Sequence, residues 1–442
     1  MWLQPHLPRL AGIVMRTYYR ASRGGPPVPR RGPALLLGNH PNALLDPLFL
    51  AWAAQRPIRF LAKAPLFKTP VLGWLVRGSG SIPVYRRQDD PTQTAKNDET
   101  FRAVHDALAA GSAVALFPEG ISHSQPSLAP LKTGAARIAL GAVPRTGGAF
   151  PIIPVGLVFR EKQIFRSDAH AAVGAPVEWD DLASRGPEDV EAVRELTDRI
   201  DRAMRTVTLN LARWEDDAVV RTAEAIWSAE RAVDATRAAR VSRIAMANDI
   251  LARARASGDE RWATLARDVR EHARILHALA LRPDDVAADA SLGTAAKWAA
   301  RRLTVVGAGQ ASVALAATVI FWVPYRLTGI VAGRLAPDKD TLSTYKAFTG
   351  GVFFAVWIAA IAAVAGARWG IAAASITVPL LMTLAVLGMH AAEQWSWTLA
   401  TARRWFLMRA GDPRVAALRA KQRDLAQRLD DALAVWTKHL PT

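Results

Sequence analysis

Gly38-Asn39-His40-Pro41-Asn42-Ala43-Leu44-Leu45-Asp46-Pro47 is the stretch on which the reading of this chain turns. The apolar run before it, Ala34 to Leu37, reads as a buried strand of a covered sheet, and Leu48-Phe49-Leu50-Ala51-Trp52 after it reads as the first turns of a buried helix. Asp46 followed by Pro47 signals a helix start, because an Asp cap accepts orphan backbone N–H groups and Pro fits the first helical position. The stretch thus sets an imidazole at a strand's C-terminal end and a carboxylate at the next helix's N-terminus, six positions on. That can bring a histidine beside the carboxylate that orients it. On this stretch alone a plain Gly/Asn/Pro loop with a capping Asp and a surface His remains open.

Working outward, short apolar runs recur at Ile58–Lys63, Ser81–Arg87, Ser112–Phe117, Phe150–Phe159 and Ala169–Val177. Helical periodicity separates several of them, at Thr94–Ala110 and from Leu131 to about Val143. Strands alternating with helices predict an α/β sandwich whose site lies outside the carboxyl ends of the strands. Polar groups gather at such ends: His40 and Asp46, Arg86 and Arg87, Glu119 and Gly120.

Taken in order, the blocks Asn39-His40 to Asp46, Gly80-Ser81-Ile82-Pro83-Val84-Tyr85-Arg86, Phe117-Pro118-Glu119-Gly120-Ile121-Ser122 and Ile153-Pro154-Val155-Gly156 resemble the four blocks of the glycerol-phosphate acyltransferase superfamily, which includes the lysophosphatidate acyltransferases. The resemblance spans roughly residues 30–180. It departs from the commonest form of the first block, which has four residues between His and Asp where this chain has five. In this it is similar to the eukaryotic branch acting on glycerol 3-phosphate and dihydroxyacetone phosphate. The extra residue fits in the loop before Asp46 without moving either end of the element.

The resemblance implies acyl transfer from a thioester to an alcohol, which needs a base near the hydroxyl and a grip on the acceptor. With no Cys and no G-x-S-x-G elbow in the chain, direct attack by the acceptor hydroxyl is the simplest mechanism. His40 is the expected base, its type suited to proton abstraction near neutrality. Asp46 is expected to fix its tautomer and stabilise the imidazolium. Arg86 is the expected phosphate ligand, since guanidinium binds phosphate oxygens bidentately. Glu119, Gly120, Asn39, Lys63 and Ser122 complete the expected substrate-binding set, with Arg87, Lys68 and Lys132 as further candidates. A polar loop accounts for His123, which is left out of the catalytic set. No metal and no cofactor are expected; acyl-CoA or acyl carrier protein serves as co-substrate.

Residues 1–30 read as an amphipathic N-terminal helix and linker: apolar residues at helical spacing are interrupted by Arg9, Arg16 and Arg20, unlike the unbroken core of a signal peptide. The resemblance implies that residues 31–185 are an α/β acyltransferase domain, a mixed sheet flanked by helices. Residues 186–301 form a helical region, with long helices expected over Val190–Trp214, Ala218–Ala256 and Glu260–Leu281. It suits either packing or the binding of a carrier protein. Residues 302–392 hold the apolar runs Leu303–Tyr325, Ala347–Ala367 and Trp369–His390, each about 20 residues without Asp, Glu, Lys or Arg, enough to span a hydrocarbon core of roughly 30 Å. Residues 393–442 are a basic amphipathic tail.

The net charge of +17 and 51% hydrophobic content with 15 Trp favour an anionic membrane surface over nucleic acid, for which no recognition motif is present. The positive-inside rule favours an even number of crossings, with catalytic domain and tail both cytoplasmic, at the inner membrane in a bacterium. The expected function is a membrane-bound O-acyltransferase of phospholipid synthesis, acting on glycerol 3-phosphate or 1-acylglycerol 3-phosphate and yielding lysophosphatidic or phosphatidic acid. Dihydroxyacetone phosphate, another lysophospholipid, or a non-catalytic lipid-binding role on the same scaffold are the alternatives. Expected partners are membrane lipids, the acyl donor and a glycerophosphate acceptor.

Overall fold

A seven-stranded sheet in the order β1-β7-β6-β2-β5-β3-β4 places the segment that opened the sequence reading at its centre. The computed structural model describes residues 1–86, 92, 96–233, 237–258, 260–288, 308–338, 340–409 and 413–437. The chain divides into two compact units, one comprising Met1–Ala212, Thr236–Val241 and Asp338–Thr344, the other Arg213–Ala235, Ser242–Pro337 and Tyr345–Thr442.

In the first unit the strands are β1 (Arg20–Gly24), β2 (Ala34–Gly38), β3 (Ile58–Lys63), β4 (Ile82–Val84), β5 (Ala113–Leu116), β6 (Ile152–Phe159) and β7 (Asp168–Val173). β2 runs parallel to both its neighbours, β5 and β6, and is fully buried. Such two-sided burial gives the continuous apolar run Ala34-Leu35-Leu36-Leu37 rather than alternation. Each of its leucines contributes about 1.5–3 kcal/mol relative to exposure. β7 pairs antiparallel with β6, so the sheet is mixed.

The helices of this unit are α1 (Leu7–Tyr18), α2 (Leu45–Ala54), α3 (Leu72–Gly78), α4 (Asn97–Ala109), α5 (Gly134–Thr146) and α6 (Val190–Val207). α4, α5 and α6 bury Val104, Leu108, Ile138, Leu140, Leu196 and Ile200 in one core with Leu35, Val114 and Ile152. α1 lies against α2, and α2 against β6 and β7. α6 approaches the sheet closely at Gly156, where an added Cβ would stand 1.7 Å from the Val207 carbonyl oxygen.

The second unit carries α7 (Glu215–Arg231), α9 (Glu260–Ala278), α10 (Pro283–Ala287), α11 (Ala308–Leu335), α13 (Ile371–Arg409) and α14 (Pro413–Thr437), with most of α8 (Arg237–Ser257) and of α12 (Leu342–Trp369). Val219, Ala223 and Ile226 of α7 meet Leu265 and Val269 of α9 and Leu425 and Ala426 of α14. The tail helix therefore spends its apolar stripe on other helices of its unit. Among the described residues three helices are long and apolar enough to cross a membrane: Gly309–Leu335, Leu342–Trp369 and Ile371–Met408.

The sequence reading needs correction at five places, the first being the expected helix Val190–Trp214, which ends at Val207. Arg20–Gly24, taken as the end of the N-terminal helix and the start of the linker, is an edge strand parallel to β7, with no apolar pattern because it is incompletely buried. Asp46 does not cap α2: the helix begins at Leu45, and the carboxylate turns back to its own loop. The expected helix Ala218–Ala256 is interrupted after Arg231, where Ala232 takes a left-handed conformation at φ 48°. β4 stops at Val84, so Arg86 lies beyond the strand. Arg87, Thr94, the start of the first apolar run (303–307) and Asp412 lie outside the described residues.

Candidate active site

β2 ends at Gly38 and β5 at Leu116, adjacent and parallel, so His40 and Glu119 emerge from neighbouring strands on the same edge of the sheet. Asn39 fixes the exit from β2. Its Nδ2 donates to the Leu157 carbonyl at 3.1 Å, and its Oδ1 accepts the Leu157 N–H at 2.6 Å. The side chain thereby stands in for a backbone rung between the loop and β6.

His40 Nδ1 lies 2.8 Å from Asp46 Oδ2, and the same oxygen accepts the Asn42 N–H at 2.6 Å. A carboxylate at this distance holds the proton on Nδ1, which leaves the Nε2 lone pair to receive one. The ring stacks on Phe117, with centroids 4.1 Å apart. Asp46 is fully buried, and burial pushes its carboxyl pKa up; His40, the Asn42 N–H and the Lys162 ammonium pull the other way by favouring the anion. The five-residue interval between His40 and Asp46 is accommodated at Ala43, in the left-handed region at φ 45°. Its N–H is received by Ser122 Oγ at 3.2 Å.

Glu119 is buried, and both of its oxygens engage protein donors. Oε1 accepts the His40 N–H at 2.9 Å, and Oε2 accepts the Ala129 N–H at 2.8 Å and pairs with His123 Nε2. The His123 N–H in turn donates to the His40 carbonyl at 3.1 Å. Glu119 and His123 therefore tie the block after β5 to the loop after β2. Gly120 turns the chain at φ 73°, a conformation open to glycine at no steric cost, and its carbonyl accepts Arg86 Nη1 at 2.9 Å. The structure thus brings Arg86, Glu119, Gly120, Ser122, Asn39, His40 and Asp46 to one set of strand ends. Lys132 lies beside Gly120. Lys63 ends β3 in register with Val84, and its side chain is exposed.

Sequence reasoning missed three supports. Asn42 Nδ2 donates to the Tyr19 hydroxyl at 2.8 Å, and burial pushes the Tyr19 phenol pKa up. Lys162 reaches the Pro41 carbonyl at 2.6 Å. His123 had a signal, since it follows Glu119 by four residues, but Tyr19 and Lys162 belong to no block. Among the described residues no three His, Asp or Glu side chains group as a metal site.

In the first unit a His–Asp pair at strand ends, its carboxylate buried and its imidazole partly exposed, makes an α/β domain equipped for proton transfer. Residues 21–158 match the family model described as Acyltransferase. Glycerol-3-phosphate O-acyltransferase 2 of Saccharomyces cerevisiae is 35% identical over 138 residues, covering 30% of this chain and 18% of the yeast protein. The chloroplastic 1-acyl-sn-glycerol-3-phosphate acyltransferase BAT2 of Brassica napus is 28% identical over 126 residues, 28% of this chain and 33% of that one. Lyso-ornithine lipid O-acyltransferase of Rhizobium meliloti is 33% identical over 145 residues, 33% of this chain and 46% of that one. The matches span less than half the length of each of these relatives. Residues 21–158 form an acyltransferase domain of the glycerolipid acyltransferase superfamily.

Proposed function

We propose that the chain is a membrane-bound O-acyltransferase that moves a fatty acyl group from acyl-CoA or acyl carrier protein to a hydroxyl of glycerol 3-phosphate or 1-acylglycerol 3-phosphate. The observation that carries this reading is the His40–Asp46 pair, 2.8 Å apart with a fully buried carboxylate and a partly exposed imidazole, at the carboxyl end of the central strand. His40 Nε2 takes the acceptor's hydroxyl proton as its oxygen attacks the thioester carbonyl. Asp46 stabilises the imidazolium that results. Collapse of the tetrahedral intermediate forms the ester C–O bond and breaks the C–S bond, and the leaving thiolate recovers the proton from His40. Arg86, positioned by the Gly120 carbonyl, supplies charge for the acceptor phosphate. The catalytic unit faces the cytoplasm, where both donors are found.

A second reading, an acceptor lipid without a glycerophosphate group, draws support from the relative named as a lyso-ornithine lipid O-acyltransferase. Purified full-length protein is to be offered glycerol 3-phosphate, dihydroxyacetone phosphate, lysophosphatidate and lyso-ornithine lipid, each with both donors. Transfer to a phosphorylated acceptor, abolished in His40→Ala, is the expected result. Arg86→Ala should raise KM for that acceptor about tenfold or more, as loss of a charge-assisted contact requires. Transfer to lyso-ornithine lipid alone would establish the second reading, and turnover retained in His40→Ala would remove the mechanism.

A further inference from the structure

The loop between β6 and β7 carries Lys162, which belongs to none of the four blocks, yet its side chain is only 17% exposed. An ammonium has three N–H donors, and here each has an acceptor: the Pro41 carbonyl at 2.6 Å, Ser124 Oγ, and Asp340 Oδ1 at 2.7 Å. The Lys162 backbone is held as well, its carbonyl accepting the Tyr19 hydroxyl and, at 2.6 Å, the Ser343 hydroxyl. Tyr19 in turn receives Asn42 Nδ2. Lys162 thus grips the two residues that follow His40, Pro41 directly and Asn42 through Tyr19.

Asp340 and Ser343 come from Asp338–Thr344, which belongs to the first unit although in sequence it comprises the end of the linker after the apolar helix α11 and the first turn of the apolar helix α12. Ser343 and Thr344 are buried there, and Ser124, just past the third block, also bonds Asp340. A solvated linker and a plain helix start need none of these contacts.

We propose that Lys162 is a positioning residue for the His40–Asp46 pair, and that Asp340 is the counter-ion that holds Lys162 in place. The linker between the two apolar helices is then a working part of the catalytic loop. This rests on the reading of His40 as the base. Lys162 fixes the Pro41 carbonyl and so the backbone that aims the His40 ring, while its charge favours the Asp46 carboxylate. Asp340 keeps that ammonium from swinging to solvent.

The test uses the full chain in nanodiscs, as wild type, Lys162→Met, Lys162→Arg, Asp340→Asn and the Lys162→Met/Asp340→Asn double variant. Hydrogen exchange is read by mass spectrometry over residues 39–46 and over β6. Lys162→Met and Asp340→Asn should speed exchange in the loop about tenfold, the effect of losing one charge-assisted hydrogen bond, with β6 unchanged. Lys162→Arg, which keeps the charge and donors, should stay close to wild type. With the acceptor the wild type uses, kcat should fall about tenfold in both variants with KM held within about twofold, and the double variant should fall no further than Lys162→Met. Unchanged loop exchange overturns the proposal, as do additive losses in the double variant or a loss of kcat that follows a general fall in Tm. A wild type that transfers no acyl group overturns the catalytic reading instead, and the exchange measurement still decides whether Lys162 and Asp340 hold the loop.

Discussion

Replacing Asp46 by Asn removes a charge while keeping the side chain's shape, and it isolates what the carboxylate does for His40. Oδ2 holds both the ring, at 2.8 Å, and the Asn42 N–H, at 2.6 Å. When the acceptor's proton reaches Nε2 the ring becomes a cation whose centre is about 4 Å from the carboxylate, worth about 4 kcal/mol at an effective dielectric of about 20. The expected loss in kcat is therefore about 10³-fold. Because Asp46 is 0% exposed, it touches no acceptor, and KM should hold within about twofold.

Stability should move the other way. Burial raises the folded pKa of Asp46 above its ordinary 3.8. A carboxyl raised in this way stabilises the fold fully below its unfolded pKa and loses that contribution as pH rises through the folded value. On that account Asp46→Asn should melt no lower than wild type at neutral pH, with the difference shrinking on acidification toward 3.8. Steady-state kinetics on purified protein, with thermal melts between pH 4 and 8, check both halves. A variant that keeps more than about a tenth of wild-type kcat, or that loses activity through KM, refutes the reasoning.

Glu119→Gln turns one of the two accepting oxygens into a donor facing the His40 or Ala129 N–H, or His123. It should cost about 1–3 kcal/mol in chemical denaturation and lower kcat more than KM. Ala43 pays for a left-handed conformation; Ala43→Gly should retain activity, and Ala43→Val should destabilise by about 1–2 kcal/mol in the same denaturation assay.

The pairing of His40 with Asp46 was legible because its signals are local: a buried strand, a loop, a helix start and two titratable side chains six positions apart. The same local grammar misassigned the Asp46 carboxylate. A helix-start signal ranks Asp as a cap, and only the folded loop shows the oxygen drawn back to Asn42 and His40. Glu119 was identified by its block, but its contacts with Ala129 and His123 depend on how the following loop folds back. β1 was missed because an edge strand carries no periodicity of burial. Lys162 and Asp340 were beyond reach for a different reason. They are separated by 178 residues and meet through loops, where neither spacing nor composition records a partner.

Gly156 belongs to the fourth block, and its lack of a side chain is what lets the end of α6 rest on β6. It lies on the next strand over from the His40 loop and contributes no proton, charge or hydrogen-bonding side chain to it. A descendant that lost His40 would still need Gly156 to close the same sheet. In this chain the glycine of Ile153-Pro154-Val155-Gly156 accordingly serves the packing of the sheet rather than proton transfer.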